Sequence, residues 1–368
     1  MQQNPKKQRV AAIDVLRGLT IALMILVNTP GSWSHVYWPF LHADWSGATP
    51  TDMVFPFFIF IVGAAMSYSL SAAVQAGIVP WGKIAKRALL LFVIGLVLNI
   101  FPFDSSPDEW RILGVLQRIA LCYLFGAILI LTLSVRSLII CSAGLLLGYW
   151  LVMALGSAQP YGLETNLVRQ IDLALLGANH LWQGKGLPFD PEGLLSTIPA
   201  IVTLLCGYLT SLWLQNIDGF GKQIRSLIIL AAILIVVACL WHQVHPINKS
   251  LWTGSFVLLT AGVAMAVLAL IIWMWEAKGW RFGLETLRIY GSNPLVVYVG
   301  SGLLAVTLSE LIEMNFDGQT VSAYQYGFMF LNQYMSAKNA SLLFALIIVS
   351  LFYALAHFLY RKKWFVKL

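Results

Sequence analysis

The segment "FLHADWSGATPTD" (residues 40–52) gathers His42, Asp44 and Asp52 in a chain only 11% of whose residues are charged. An imidazole titrates near neutrality, so His42 suits proton transfer at the mouth of a membrane cavity. The same residues also suit a plain interfacial loop. Trp33, Trp38 and Trp45 fit an aromatic belt, and Asp52 fits a favourable charge at a helix N-terminus. Residue types alone leave both readings open.

The elements around this loop decide where it lies. The chain has 368 residues, 59% hydrophobic and 13% aromatic. That exceeds what the core of a soluble protein this long requires, so the excess faces lipid. Stretches such as "MVFPFFIFIVGAAMSYSLSAA" (53–73) and "SLLFALIIVSLFYALAHFLY" (341–360) approach the ~20 residues of a membrane-crossing helix. Continuous rather than alternating apolar runs exclude a closed barrel. The expected fold class is all-α, a polytopic helical membrane protein forming one domain over 1–368. Ten spans are expected, at 13–31, 53–75, 82–101, 112–133, 137–155, 193–214, 224–242, 252–275, 289–309 and 340–360. The long connection 156–192 has room for a short interfacial helix.

Ten spans place both termini on one side. On the assumption that this side is cytoplasmic, it carries 17 of the 23 Lys and Arg, among them Lys6, Lys7, Arg9, Arg17, Lys83, Arg87, Arg281, Arg288 and Lys367. This follows the positive-inside rule, and it turns the +7 net charge into a topological signal with no nucleic-acid partner. The basic N-terminus shows no cleavable leader, so the first span is expected to be retained. Cys122, Cys141, Cys206 and Cys239 lie in apolar runs without CxxC spacing, and neither a disulfide framework nor a metal is implied.

Polar residues inside apolar spans are the next candidates for chemistry. Asp14 and Arg17 can pair over one helical turn. Asn28 lies roughly 16 Å further along nearly the same face, where "NTPG" breaks the helix. Gln117 and Arg118 sit in span four near its outer end, and Asp52 is the expected partner of Arg118. "DPEGLLSTIPA" brings Asp190 and Glu192 to span six, and "NKSLWTGSF" brings Lys249, Trp252 and Ser255 to span eight. "YGSNPLVVY" gives span nine an irregular start around Asn293, which is tolerated where backbone lines a cavity. Taken together these groups outline a polar pocket with a route through the membrane.

The motifs "AIDVLRGLTIALMILVNTPG", "HADWSGATPTDMVFPFFIFIVGAAMS", "GVLQRIALCYL", "DPEGLLSTIPAI" and "NKSLWTGSFVLLTAG" occur in this order. In them the chain resembles the heparan-α-glucosaminide N-acetyltransferase family, in particular bacterial members linked to amino-sugar use. The resemblance covers nearly the whole chain, without the lumenal N-terminal domain of the lysosomal relative. It implies acetyl transfer from cytosolic acetyl-CoA to the amine (or a hydroxyl) of a glucosamine-type sugar on the far side, here the periplasm of a bacterial inner membrane. It also implies a homodimer. The family's catalytic histidine falls on His42 and its asparagine on Asn28.

On that basis His42 is expected as general base, Asn28 as hydrogen-bond donor to the oxyanion, and Asp52 or Asp44 as the group orienting the imidazole. A route through acetyl-His42 is the mechanistic alternative. Acetyl-CoA is expected against Arg17, Asp14, Gln117, Arg118, Lys249, Trp252, Ser255 and Asn293, its phosphates near Arg17, Lys83, Arg281 or Arg288. Trp45, Asp190, Glu192 and Trp182, with the face of Trp252, are expected to meet the sugar. The competing class is an amino-sugar or small-solute transporter, which broken helices and polar groups at depth fit equally well.

Overall fold

The computed structural model of the protein describes residues 11–77 and 79–366, the side chains of Ala72 and Gln75 excepted. Lys6, Lys7, Arg9 and Lys367, used above for orientation, lie outside these residues. The helices are α1 (Ala11–Asn28), α2 (Val54–Ser69), α3 (Ser71–Ala76), α4 (Trp81–Ile100), α5 (Val115–Thr132), α6 (Val135–Gly156), α7 (Leu167–Leu176), α8 (Thr197–Leu214), α9 (Phe220–Trp241), α10 (Gly254–Ile272), α11 (Leu284–Tyr290), α12 (Pro294–Val306), α13 (Ala323–Asn332) and α14 (Ala337–Arg361). Among the described residues nine helical stretches are long and apolar enough to cross a membrane. They correspond to nine of the ten expected spans, and the protein is a polytopic helical membrane protein. The tenth, at 82–101, is α4. Its twenty residues reach about 30 Å, but its first turns carry Lys83, Lys86 and Arg87.

Three local features depart from a plain row of helices. The helix after Asp52 stops at Ser69 and resumes as the short α3. The ninth span is broken, as expected, with α11 ending before Gly291 and α12 starting at Pro294. Asn293 occupies the break with both side-chain atoms engaged: Nδ2 donates to Trp364 O at 3.0 Å and Oδ1 accepts from Val366 N at 2.9 Å. Finally, a hairpin of β1 (Glu313–Phe316) and β2 (Gln319–Ser322) leads into α13. Phe316 faces Gln319 across the two-residue loop Asp317–Gly318, both with positive φ. That is the geometry two-residue hairpins favour, and a search for long apolar runs passes over it.

The bundle is layered by burial. α2 and α8 bury most of their length, and α10 nearly as much, whereas α9 and α12 turn most of theirs outward. α2 packs on α8, α10 on α9, α4 on α5, and α1 on α2, α11 and α14. At the α2–α8 crossing the two backbones touch. A Cβ on Gly63 would lie 1.8 Å from Leu204 O, and one on Gly207 would lie 1.8 Å from Phe60 O. Helices lacking a hydrophobic driving force between them associate through such small-residue contacts.

Because the obstacle is main chain, Gly63→Ala should destabilise the bundle by at least the ~1–3 kcal/mol of an overpacked core. Gly148→Ala, where a Cβ meets open space, should not. Thermal unfolding of the detergent-solubilised variants, followed by size-exclusion fluorescence, checks the difference.

Candidate functional site

The site is organised around one carboxylate. Thr49 and Pro50 start a short 3-10 turn, Pro50–Met53, that runs into α2 and turns Asp52 back onto the preceding loop. Asp52 is 1% exposed. Its Oδ2 accepts from Thr49 N at 2.9 Å and Ala43 N at 3.0 Å, with the Thr49 hydroxyl 3.1 Å away and 2.6 Å from Leu41 O. Its Oδ1 faces His42 Nδ1 at 2.7 Å. A carboxylate only accepts, so Nδ1 carries the ring proton and Nε2 the lone pair. The His42 side chain is 43% exposed, so that lone pair is within reach of solutes. Lys249 Nζ lies 3.1 Å from Nδ1, 3.3 Å from Nε2 and 3.8 Å from Asp52 Oδ1. Asp44, the other expected partner of the ring, is exposed, and its main-chain carbonyl accepts from Lys185 Nζ at 2.7 Å.

Neighbouring loops clamp this arrangement. Trp45 Nε1 donates to Tyr161 O at 2.7 Å, and its ring sits edge-on to Phe189 at 5.4 Å. Gly47, at φ +105°, donates its N–H to Ile247 O at 2.7 Å, tying the His42 loop to the one carrying Lys249. A side chain at position 47 would be strained there. The Lys249 loop has its own pin in the fully buried His245. His245 Nε2 accepts from Gly254 N at 2.9 Å, so Nδ1 holds the proton and donates to the Tyr161 hydroxyl at 2.9 Å. Ser255 Oγ donates to His245 O at 2.6 Å. Burial brings His245 down to about 4 and keeps it neutral. Burial also pulls the Lys249 amine below the ordinary lysine range, with Asp52 and Glu192 opposing.

Several expected site residues are held by one another. Arg111 forks onto Asp190 (Nε to Oδ2 2.8 Å, Nη2 to Oδ1 2.9 Å) and onto Glu192 at 2.8 Å. Burial would raise the Asp190 carboxyl, but Arg111 outweighs it and holds it below the usual carboxylate range. Trp182 lies over the same guanidinium at 5.9 Å. Arg118, fully buried, donates to Gly193 O at 2.9 Å and to Ser196 Oγ. Its partners are therefore a carbonyl and a hydroxyl, and Asp52, the partner expected from sequence, is committed to His42. Trp252 is 1% exposed, lies 5.0 Å from the Arg118 guanidinium and donates Nε1 to Thr203 Oγ1 at 3.0 Å. It offers no open face to a sugar. Gln117 is buried with its amide against Gly95.

Below the loops lies a cavity of about 800 Å³ between α1, α2, α4, α5, α12 and α14. Arg17, Arg87 and Arg288 line its inner end, with Asp14, Tyr68 and Tyr360. Arg17 pairs with Asp14 at 3.0 Å, and Arg288 bonds Glu285 and, at 2.7 Å, the Tyr360 hydroxyl. Lys83 is exposed, and Arg281 folds onto Trp275 at 3.9 Å, neither of them in the lining. At the outer end Met24 and Phe58 line the cavity. Met24 is one turn before the exposed Asn28, and Phe58 is about 9 Å along the helix from Asp52. Tyr298, also in the wall, is within electrostatic reach of Glu192 and Arg111. Arg87, Arg111, Tyr161 and His245 escaped sequence reasoning. Each looks like an ordinary interfacial residue until its partner, distant in sequence, is known.

Residues 9–216 match the family model described as heparan-alpha-glucosaminide N-acetyltransferase, catalytic. The chain is 30% identical over 352 residues to the human heparan-alpha-glucosaminide N-acetyltransferase, covering 79% of this chain and 52% of the relative. It is 28% identical over 420 residues to the mouse protein of that name, covering 98% of this chain and 60% of the relative. The chain thus spans a little over half the length of these relatives.

His245 generates a pH prediction. Its folded value near 4 lies below the ordinary 6.5, so the unfolded chain binds the proton more readily. Stability is full above pH ~6.5 and is lost as the pH falls towards 4. Unfolding midpoints across this window should drop for the wild type, with a flatter dependence in His245→Gln.

Proposed function

The chain belongs to the heparan-alpha-glucosaminide N-acetyltransferase family, and from that premise we propose that it is a membrane acetyltransferase acting from acetyl-CoA onto the amine of a glucosamine-type sugar. One observation carries the reading: a cavity lined by three arginines extends to Phe58, about 9 Å along the helix from the Asp52 that faces His42 at 2.7 Å. The volume of about 800 Å³ is in the range that binds sizeable ligands. In this reading Arg17, Arg87 and Arg288 hold the phosphates of CoA, and the pantetheine arm runs outward between α1, α2, α5 and α12. The thioester then reaches Asn28 and His42.

His42 acts as general base. Asp52 holds its Nδ1–H, leaving Nε2 to take the proton from the sugar amine as nitrogen attacks the thioester carbon. Asp52 also stabilises the imidazolium that forms, and its buried, hydrogen-bonded carboxylate keeps the ring from turning. The amine side of the reaction lies at the outer loops, with Trp182 and the rim of the Arg111 cluster around it. The Lys and Arg asymmetry supports a bacterial inner-membrane protein with the His42 loop in the periplasm. A single membrane domain assembled as a homodimer completes the proposal, and mass determination in detergent reads the assembly state.

Protein reconstituted in lipid should transfer labelled acetyl from acetyl-CoA to glucosamine. His42→Ala should lower kcat by about 10²–10⁴-fold with the fold intact. Arg87→Gln should instead raise the KM for acetyl-CoA roughly tenfold, the effect of about 1.4 kcal/mol of binding energy, at nearly unchanged kcat. A burst of CoA release without sugar would replace direct transfer by acetyl-His42. Sugar uptake into vesicles without acetyl-CoA would replace the enzyme by a transporter.

A further inference from the structure

The contact between Lys249 and His42 is left unused by the mechanism above. Lys249 Nζ stands 3.1 and 3.3 Å from the two ring nitrogens, closer to the imidazole than to the carboxylate at 3.8 Å. Nδ1–H is donated to Asp52, and the ammonium, nearly equidistant from both ring nitrogens, lies against the face of the imidazole and off the in-plane lone pair of Nε2. A general base needs that lone pair free. Nε2 is left open in this arrangement, and the N–H groups of the ammonium stand beside it without a lone pair of the ring to meet. In transfer of acetyl to an amine, the reacting group brought beside Nε2 carries one strong acceptor, the thioester carbonyl oxygen.

On the acetyltransferase reading, we infer that Lys249 is a catalytic residue that, from its place against the His42 ring, donates an N–H to the carbonyl oxygen of the arriving thioester, stabilising the oxyanion. The step balances without another reactant. The amine nitrogen forms the C–N bond, and its proton goes to Nε2. The C–S bond breaks with its electron pair on sulfur, and His42 returns the proton to the thiolate. Lys249 remains an ammonium throughout. Its position is set by main chain: Gly47 N–H on Ile247 O fastens the two loops, and Asn248 is fixed within its turn by Leu251 N at 2.9 Å and Thr253 Oγ1 at 3.1 Å. Asn28, the donor expected from sequence, stands exposed at the end of α1.

The charges around the ammonium come from two loops. His42 and Asp52 face it from the opening loop, and Glu192 and Lys185 from the 156–192 connection. Burial outweighs the carboxylates and lowers the amine from the ordinary lysine range. Since the ammonium is the working form, activity should decline on the alkaline side at a pH below that of an ordinary lysine. An arginine, which stays charged, should move that decline upward.

The test uses the full chain in lipid nanodiscs, with acetyl-CoA and glucosamine, from pH 6 to 10. Lys249→Met should lower kcat by about 10²–10³-fold, the usual cost of losing an oxyanion donor, with the KM for acetyl-CoA changed by less than about threefold. Lys249→Arg should recover at least a tenth of the lost rate and shift the alkaline limb upward. Wild-type kcat in Lys249→Met overturns the inference, as does a loss in KM alone. So does a Lys249→Arg variant that is folded yet no better than Lys249→Met. If the wild type transfers no acetyl to any amine, the acetyltransferase reading and this inference fall together. An active wild type with an indifferent Lys249 removes the inference alone.

Discussion

A buried carboxylate at the edge of a membrane is costly unless donors surround it, and Asp52 meets that condition with groups drawn from its own loop. Two main-chain N–H groups donate to Oδ2, and Oδ1 faces the His42 ring at 2.7 Å with the Lys249 ammonium at 3.8 Å. The loop from 42 to 52 therefore has its shape because the charge must be satisfied. The same satisfaction fixes the tautomer of His42. One set of hydrogen bonds shapes the loop and orients the ring, and the Gly47 strap ties it to the Lys249 loop.

The other charges near this depth divide by what they touch. Arg111 bridges Asp190 and Glu192 and joins the start of α5 to the chain entering α8. Arg118 reaches the same segment from below through Gly193 O and lies against Trp252. These groups are spent on each other, and they hold the outer rim rigid. The inner arginines differ, since Arg17, Arg87 and Arg288 all line the open volume. Arg17 and Arg288 are paired there with Asp14 and Glu285, and Arg87 lies over the Tyr123 ring at 4.7 Å, so what sets them apart is the open volume they face.

Much of this organisation was legible in the chain. Apolar runs near twenty residues required helices, because lipid leaves the backbone no other partner. Gly291 and Pro294 flagged the broken helix, and the Asp–Gly pair at 317–318 carried a hairpin signal that long-run reading missed. His42 and Asp52 stood out as residues an interfacial loop seldom needs together. Sequence spacing could not tell Asp52 from Asp44 as the partner of the ring, because either loop path brings a carboxylate within reach.

What the sequence determined by itself is the class of the protein and the identity of its unusual residues, since both follow from local chemistry against a fixed bilayer thickness. What only the tertiary structure decided is pairing. Asp52 went to His42 and not to Arg118, Asp190 and Glu192 went to Arg111, and Lys249, 207 positions from His42 in the chain, came to rest on its ring. Such partners are chosen by which helix ends meet, and those meetings are set by close backbone crossings such as Gly63 with Gly207. No local pattern in the sequence contains that information.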